Sequence, residues 1–397
     1  MNGEFARGWR VVTAGTIGIA AGASSLFFYS QGVFLKPLAA TYGWTRGEAS
    51  LGPLVGTACA ALMSIPMGRL VDRIGSGRVA LGSLVALALS FAAMGAFIDS
   101  LTTFLLFTAA LSLATSGSSP LPYTRLIIVA FERQRGLAVG IALAGTGLGA
   151  IIAPALLTPL VATQGWRAGY YALAGIAAVA CLIVPLLLRG VASASVKSVP
   201  TPLAAIVRDR AFLAIGTPIL LASAAVLGSV VHFVPLLTDG GMAPAKAGAI
   251  AAIIGLAAIV GRLLVGILLD RIAPAAVAIA LFLVAASGAL ILALFGAAYA
   301  VVAALVLGLS VGAEGNLIAV LTARHFAASR YGQAYGALYA LFLVGGALGP
   351  AVIGFLFDRT GGYQIPMFVA AGALAIASLA AFRLTRLSPI SVSAPKS

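Results

Sequence analysis

Apolar runs of about 20 residues recur from end to end of this chain, and that recurrence constrains its fold more than any other feature. A run of that length covers the hydrocarbon core of a bilayer as one helix, and none of the runs shows the ten-residue alternation of an outer-membrane barrel strand. Hydrophobic residues make up 61% of the 397 and charged residues 9%, with a mean hydropathy of +1.12. Such a composition excludes a soluble globular protein and leaves an all-α membrane protein that crosses its bilayer repeatedly. The first run, Val11 to Leu35, follows a short basic start. It is longer than a signal-peptide core and lacks a convincing cleavage site, so it reads as the first span.

Breaking the chain at charged or Gly/Pro-rich joints predicts twelve transmembrane helices, near 11–35, 49–68, 79–98, 102–129, 136–161, 168–188, 212–237, 245–269, 275–295, 299–322, 333–357 and 364–384. The longest polar interruption, Arg189 to Arg210, follows the sixth and reads as a linker. The expected organisation is therefore an N-terminal six-helix bundle over 1–189, a cytoplasmic linker over 190–211, and a C-terminal six-helix bundle with a short tail over 212–397. If both termini are cytoplasmic, 17 of the 24 Lys and Arg residues fall on that side and 5 on the other. The excess of basic residues inside supports that orientation in a plasma (inner) membrane and accounts for the net charge of +14 without nucleic acid.

The two halves echo each other. GRLVDR (Gly68 to Arg73) closes the second predicted span and GILLDR (Gly266 to Arg271) closes the eighth, both as G-x-x-x-D-R. GTGLG (Gly145 to Gly149) in the fifth likewise matches GGALG (Gly345 to Gly349) in the eleventh. A repeated six-span unit is the sequence sign of a transporter whose site lies between two halves. GRLVDRIGSGR (Gly68 to Arg78) resembles the loop signature of the major facilitator superfamily, with Gly77 in place of the first of its final basic pair. The resemblance covers essentially the whole chain. It implies two pseudo-symmetric six-helix bundles, the major facilitator fold, rocking about a central cavity. Gly68, Asp72, Arg73, Arg78, Asp270 and Arg271 would then form the gating loops that hold one closed state. The same arginines also serve orientation.

A finer resemblance, to the oxalate/formate antiporter and monocarboxylate transporter branch, rests on YSQGVFLKPLAATYGWTRGEAS (Tyr29 to Ser50), FERQRGLAVGIALAGTGLG (Phe131 to Gly149) and the arginine at 262. Two positions depart from it: the branch's embedded lysine falls on Tyr29, and the acid that some members place before the arginine falls on Ala258.

Ionisable groups inside spans are costly to desolvate, so each is a candidate for function. Arg262 lies eight residues before Asp270, on the order of 12 Å inside the membrane boundary. Its planar fork suits a carboxylate held by two parallel hydrogen bonds, and a packing role paired with Glu314 would meet the same desolvation demand. Arg125 follows Pro120 and Pro122, whose freed backbone groups require an interior position. It serves either as an auxiliary cation for the substrate or as a side chain reaching the cytoplasmic surface. Glu314, about 15 Å from Arg324, is the acid nearest the midplane and the candidate for proton coupling, with a permanent ion pair to Arg262 as the alternative. Tyr29, Tyr123, His232, Asn316, Tyr335 and Tyr339 complete the candidate substrate-binding set. For each of them helix packing is the competing role.

Cys59 and Cys181 are too few for a disulfide framework or a metal site, and no P-loop, zinc spacing or strand-borne dinucleotide motif is present. The sequence therefore predicts no enzyme, no cofactor and no metal. It predicts a monomeric secondary active transporter in the lipid bilayer, moving a small organic anion, most simply a monocarboxylate, by proton symport or exchange for a counter-anion through alternating access. A dicarboxylate exchanger is the near variant, since two embedded arginines could hold two carboxylates. Polyspecific drug efflux fits less well, because the spans hold two arginines against one acid.

Overall fold

A computed structural model describes residues 3–44, 46–190 and 202–387. Its first half runs through α1 (Glu4–Ala20), α2 (Leu26–Tyr42), α3 (Arg46–Ile74), α4 (Ser76–Phe97), α5 (Leu101–Ala114), α6 (Pro120–Ala130), α7 (Arg135–Gln164) and α8 (Trp166–Leu188). The second half has α9 (Leu203–Val207), α10 (Arg210–Val231), α11 (Phe233–Asp239), α12 (Pro244–Arg271), α13 (Pro274–Phe295), α14 (Ala300–Val311), α15 (Glu314–His325), α16 (Tyr331–Thr360) and α17 (Gln364–Ala381). Among the described residues no strand occurs, and nine helical segments are long and apolar enough to cross a membrane. Most of the expected linker lies outside the described residues; its described end contains α9.

Four expected spans are each split into two helices, and the splits follow from local chemistry. Pro120 has no N–H to continue α5, so the chain makes a short 3₁₀ turn at Ser116–Ser118 and restarts with Pro120 at the head of α6. The α1/α2 break packs against this turn. The Ala23 amide donates to the Ser118 hydroxyl at 3.0 Å, and the Ser25 hydroxyl donates to the Ile19 carbonyl at 2.6 Å. Gly22 is required there because a Cβ would enter the Ser118 carbonyl. Backbone groups released by a break in lipid must find partners within the protein, and here one break supplies them to another. In the second half α10 gives way to α11 at His232, and α14 to α15 at Gly312–Ala313.

The halves meet along two crossed helix pairs, α3 on α16 and α7 on α12. Both contacts are backbone to backbone. A Cβ on Gly68 or Gly332 would strike the partner's carbonyl, and the same holds for Gly136 and Gly266. These glycines lie at the end of the molecule where α1 begins and α17 ends. The halves are thus in backbone contact at that end. Toward the other end of α12, Gly248 and Gly255 face open space.

Small residues also set the spacing inside each half. Gly349 of α16 packs directly on the Ala224 backbone of α10. Gly349→Ala is expected to destabilise the protein by about 1–3 kcal/mol, seen as a lower melting point in detergent, because the clash is with backbone that cannot rotate away. Gly255→Ala, which meets open space, should leave the melting point unchanged.

Candidate substrate site and gate

The G-x-x-x-D-R repeat becomes a pair of crossing contacts. Within each motif the aspartate follows the glycine by four residues, one helical turn, so both project from one face. The glycine permits backbone contact with the opposite half, and the aspartate then reaches a helix start there. Asp72, fully buried, accepts from the Gly332 and Gln333 amides at the head of α16, both at 3.1 Å. Asp270 accepts from the Gly136 and Leu137 amides at the head of α7, at 2.6 and 2.9 Å. The first amides of a helix have no partner within it, and the helix dipole favours a negative charge at that point. Each half therefore places an acid on a helix N-terminus of the other. Arg73, Arg78 and Arg271, expected to share in the gate, are exposed, and the contacts between the halves are made by the glycines and aspartates.

Arg125 belongs to this gate in the structure. It forms a buried ion pair with Asp72, and its second terminal nitrogen donates to the Ala328 carbonyl at 3.5 Å. Its charge is therefore matched by Asp72 here, where the sequence suggested an auxiliary cation for the substrate. His232 is also engaged elsewhere. Its Nε2 bonds the Pro350 carbonyl at 3.0 Å, and since a carbonyl only accepts, that nitrogen carries the proton. Nδ1 bonds the Tyr363 hydroxyl at 3.1 Å, so both ring nitrogens tie α10 to neighbours in its own half. Tyr123 packs against Gly18 of α1, and Tyr335 lies within an aromatic ladder from Tyr331 to Phe342. Among the described residues neither hydroxyl has a hydrogen-bond partner, so neither is bonded to Arg262.

Around Arg262 four elements converge. The side chain is 9% exposed, its Cγ lies against Gly312, and a Cβ on Gly147 would stand 3.5 Å from Nη1. Tyr29 of α2 and Tyr339 of α16 both stand close enough to the guanidinium to interact with it electrostatically. Asn316 does not face the guanidinium. Its amide donates to the Arg262 carbonyl at 2.7 Å, bracing the α12 backbone. No ion pair joins Arg262 to Glu314 or to any other described acid. Glu314 is 1% exposed at the start of α15, and neither carboxyl oxygen has a hydrogen-bond partner. The Gly312 that precedes it sits on both the Ala258 carbonyl and Arg262. Sequence reasoning missed Gly147 and Gly312 as the residues that make room for the guanidinium; the signal was present in GTGLG and GLSVG, where glycine looks the same whether it faces a helix or a side chain.

A Major Facilitator Superfamily profile matches residues 17–327 and 233–397. The chain belongs to that superfamily. Within it the chain is similar to human monocarboxylate transporter 11, at 30% identity over 281 residues, which is 65% of this chain and 58% of the human protein. It thus spans about three-fifths of that relative's length. Zebrafish (Danio rerio) monocarboxylate transporter 12-B is 27% identical over 368 residues, covering 82% of this chain and 76% of its own. Among solved structures, the E. coli fucose:proton symporter superposes with a TM-score of 0.74 at 16% identity, covering 96% and 99% of the two chains. The human organic anion transporter MFSD10 gives 0.71 at 16%, covering 96% and 100%. These structures establish the fold. The facilitator is a multi-pass membrane transporter, not an enzyme, and is similar to the monocarboxylate transporters named above.

A buried pair is more damaging half-broken than absent, because the survivor is left charged and dry. Asp72→Ala should therefore destabilise by about 3–5 kcal/mol, and Asp72→Ala with Arg125→Leu by clearly less. Thermal unfolding of the two single variants and the double one checks this, and additive losses would contradict a direct pairing.

Proposed function

We propose that this facilitator is a secondary transporter of small monocarboxylates, and that Arg262 is the anion clamp. The observation that carries the reading is a buried guanidinium with no described acid beside it, lying where α2, α7, α12 and α16 converge. Its fork offers a carboxylate two parallel charge-assisted bonds, and the Tyr29 hydroxyl supplies a donor from the other half. An anion held between them is shared by both halves. It would favour states in which the halves close on it, which is how occupancy could bias alternating access.

The charge count favours one carboxylate over two. With Arg125 matched by Asp72, a second carboxylate would enter the cavity without a cation of its own. The aromatic and aliphatic neighbours Tyr339, Phe342 and Ile259 suit an apolar tail. The excess of basic residues at the end where the halves meet supports cytoplasmic termini, so that end is taken to face the cytoplasm.

Glu314 is assigned the coupled proton. An ionised carboxylate there would lack partners in a dry site, whereas the neutral acid tolerates it. Gly312, two residues before Glu314, rests on the Arg262 side chain. Ala258, where the resembling branch places an acid, also abuts Gly312, so the acid stands on the other side of the same contact.

Arg262→Lys should reduce uptake of a radiolabelled monocarboxylate into proteoliposomes by at least about tenfold, since a point charge replaces a bidentate fork. Wild-type uptake would remove the clamp. Glu314→Gln should retain anion exchange while losing accumulation driven by an inward proton gradient. An unchanged response to that gradient would take Glu314 out of the proton path. A dicarboxylate should compete poorly with a monocarboxylate of equal length.

A further inference from the structure

The loop between α6 and α7 delivers the amides that receive Asp270, and it is held from three sides. Phe131 is wedged into α1, with its ring against Gly8 and edge-on to Phe5 at a centroid distance of 5.0 Å. The Arg135 Nε donates to the Phe131 carbonyl at 2.5 Å and the Ile128 carbonyl at 3.1 Å, closing the end of α6. Between these anchors, the Glu4 carboxylate accepts from three consecutive amides: Glu132 at 3.3 Å, Arg133 at 3.2 Å and Gln134 at 3.2 Å. The next free amides, of Gly136 and Leu137, are the two that hold Asp270.

Five backbone N–H groups within six residues are thus divided between two carboxylates of different origin. Glu4 belongs to the same half as the loop, through α1 packed on α7 and α6. Asp270 comes from the other half and must leave when that end of the transporter opens. We propose that Glu4 is a positioning residue of the gate: it keeps the head of α7 ordered while Asp270 is away, so that the amides of Gly136 and Leu137 are preset for its return. The proposal concerns the transporter's gate alone and is independent of which anion is carried.

Two effects of Glu4 on the closed state oppose each other, and their sizes decide the sign. Contacts that Glu4 makes in both states shift nothing by themselves; only a difference between states does. Its negative charge repels Asp270 in the closed state, but both carboxylates sit at a wet, screened end of the molecule. Without Glu4 the three-residue loop would regain its backbone freedom whenever the gate opens, and closing would have to remove it again. Freezing several residues outweighs one screened repulsion, so Glu4 favours closure. Three amides on one carboxylate are also more than a surface acid needs for its own solvation. This concentration of donors beside a docking point is what a preset receptor requires.

The test uses the full-length transporter with its free cysteines Cys59 and Cys181 replaced by serine. Spin labels at Arg189→Cys and Arg383→Cys, exposed positions in the two halves at the gated end, report the distance across it by double electron–electron resonance. Glu4→Ala should reduce the short-distance, gate-closed population at least threefold, and Glu4→Gln, which keeps an acceptor oxygen, should restore most of it. In an Asp270→Asn background, Glu4→Ala should add little, because the residue acts through the amides that Asp270 uses. An unchanged or larger closed population in Glu4→Ala overturns the proposal, as does an equal further loss in the Asp270→Asn background. Should Glu4→Ala fail to fold, Glu4→Gln and Glu4→Asp decide: distance distributions equal to each other and to the parent would likewise overturn it, and a graded loss as donors are left unmet supports it.

Discussion

In a bilayer no backbone N–H or C=O can be left to solvent, and the architecture of this transporter is organised around the places where that rule is under strain. Unbroken helices satisfy it by themselves. Every interruption must be answered, and the answers are what tie the protein together. The break at Ala21–Ser25 is met by Ser118 from the break beside Pro120, and the break at Gly312–Ala313 is packed on the Ala258 carbonyl and the Arg262 side chain. The unmet amides at the heads of α7 and α16 are met from the opposite half by Asp270 and Asp72. Those last two are the reversible ones. A cap supplied from across an interface can be withdrawn by moving the interface, whereas a cap supplied within one half cannot. Glu4 and Asp270, side by side on one stretch of amides, show both kinds.

The same distinction separates the two buried arginines. Arg125 is matched by Asp72 at the end where the halves meet. Arg262 is braced by Asn316 through its backbone and is flanked by tyrosines, with no described acid opposite its charge. A cation desolvated and then left unmatched is unfavourable for stability, and such sites persist where a ligand completes them. That difference in pairing, more than burial, divides a gate residue from a candidate binding residue.

Much of this was legible in sequence. Run length and the scarcity of charge gave the helical membrane class, and the twin G-x-x-x-D-R motifs pointed to the aspartates that accept from helix starts across the chain, since glycine and aspartate one turn apart act on one face. Pro120 and Pro122 pointed to an interior position, and the break they make between α5 and α6 appears only in the structure. The assignments of Arg125 and His232 were less accessible. Depth along a helix can be counted from the sequence, but the direction a side chain faces depends on how that helix is rotated against its neighbours. Arg125 and Asp72 are 53 positions apart, on helices whose mutual rotation no local pattern records. Glu4 gave no signal for a similar reason, because an acid before a first span looks like any solvated residue until the loop it caps is folded beside it.

The sequence by itself determined the helical membrane class and placed glycine and aspartate on one face in each G-x-x-x-D-R motif, because hydrophobic length and one-turn spacing are properties of a single helix. Only the tertiary structure decided which charges are matched: Arg125 with Asp72, Glu4 with the α6–α7 loop, and Arg262 and Glu314 with no described counter-charge. Pairing in a low-dielectric interior is decided over a few ångströms between helices distant in sequence, and that distance exists only after the helices have packed.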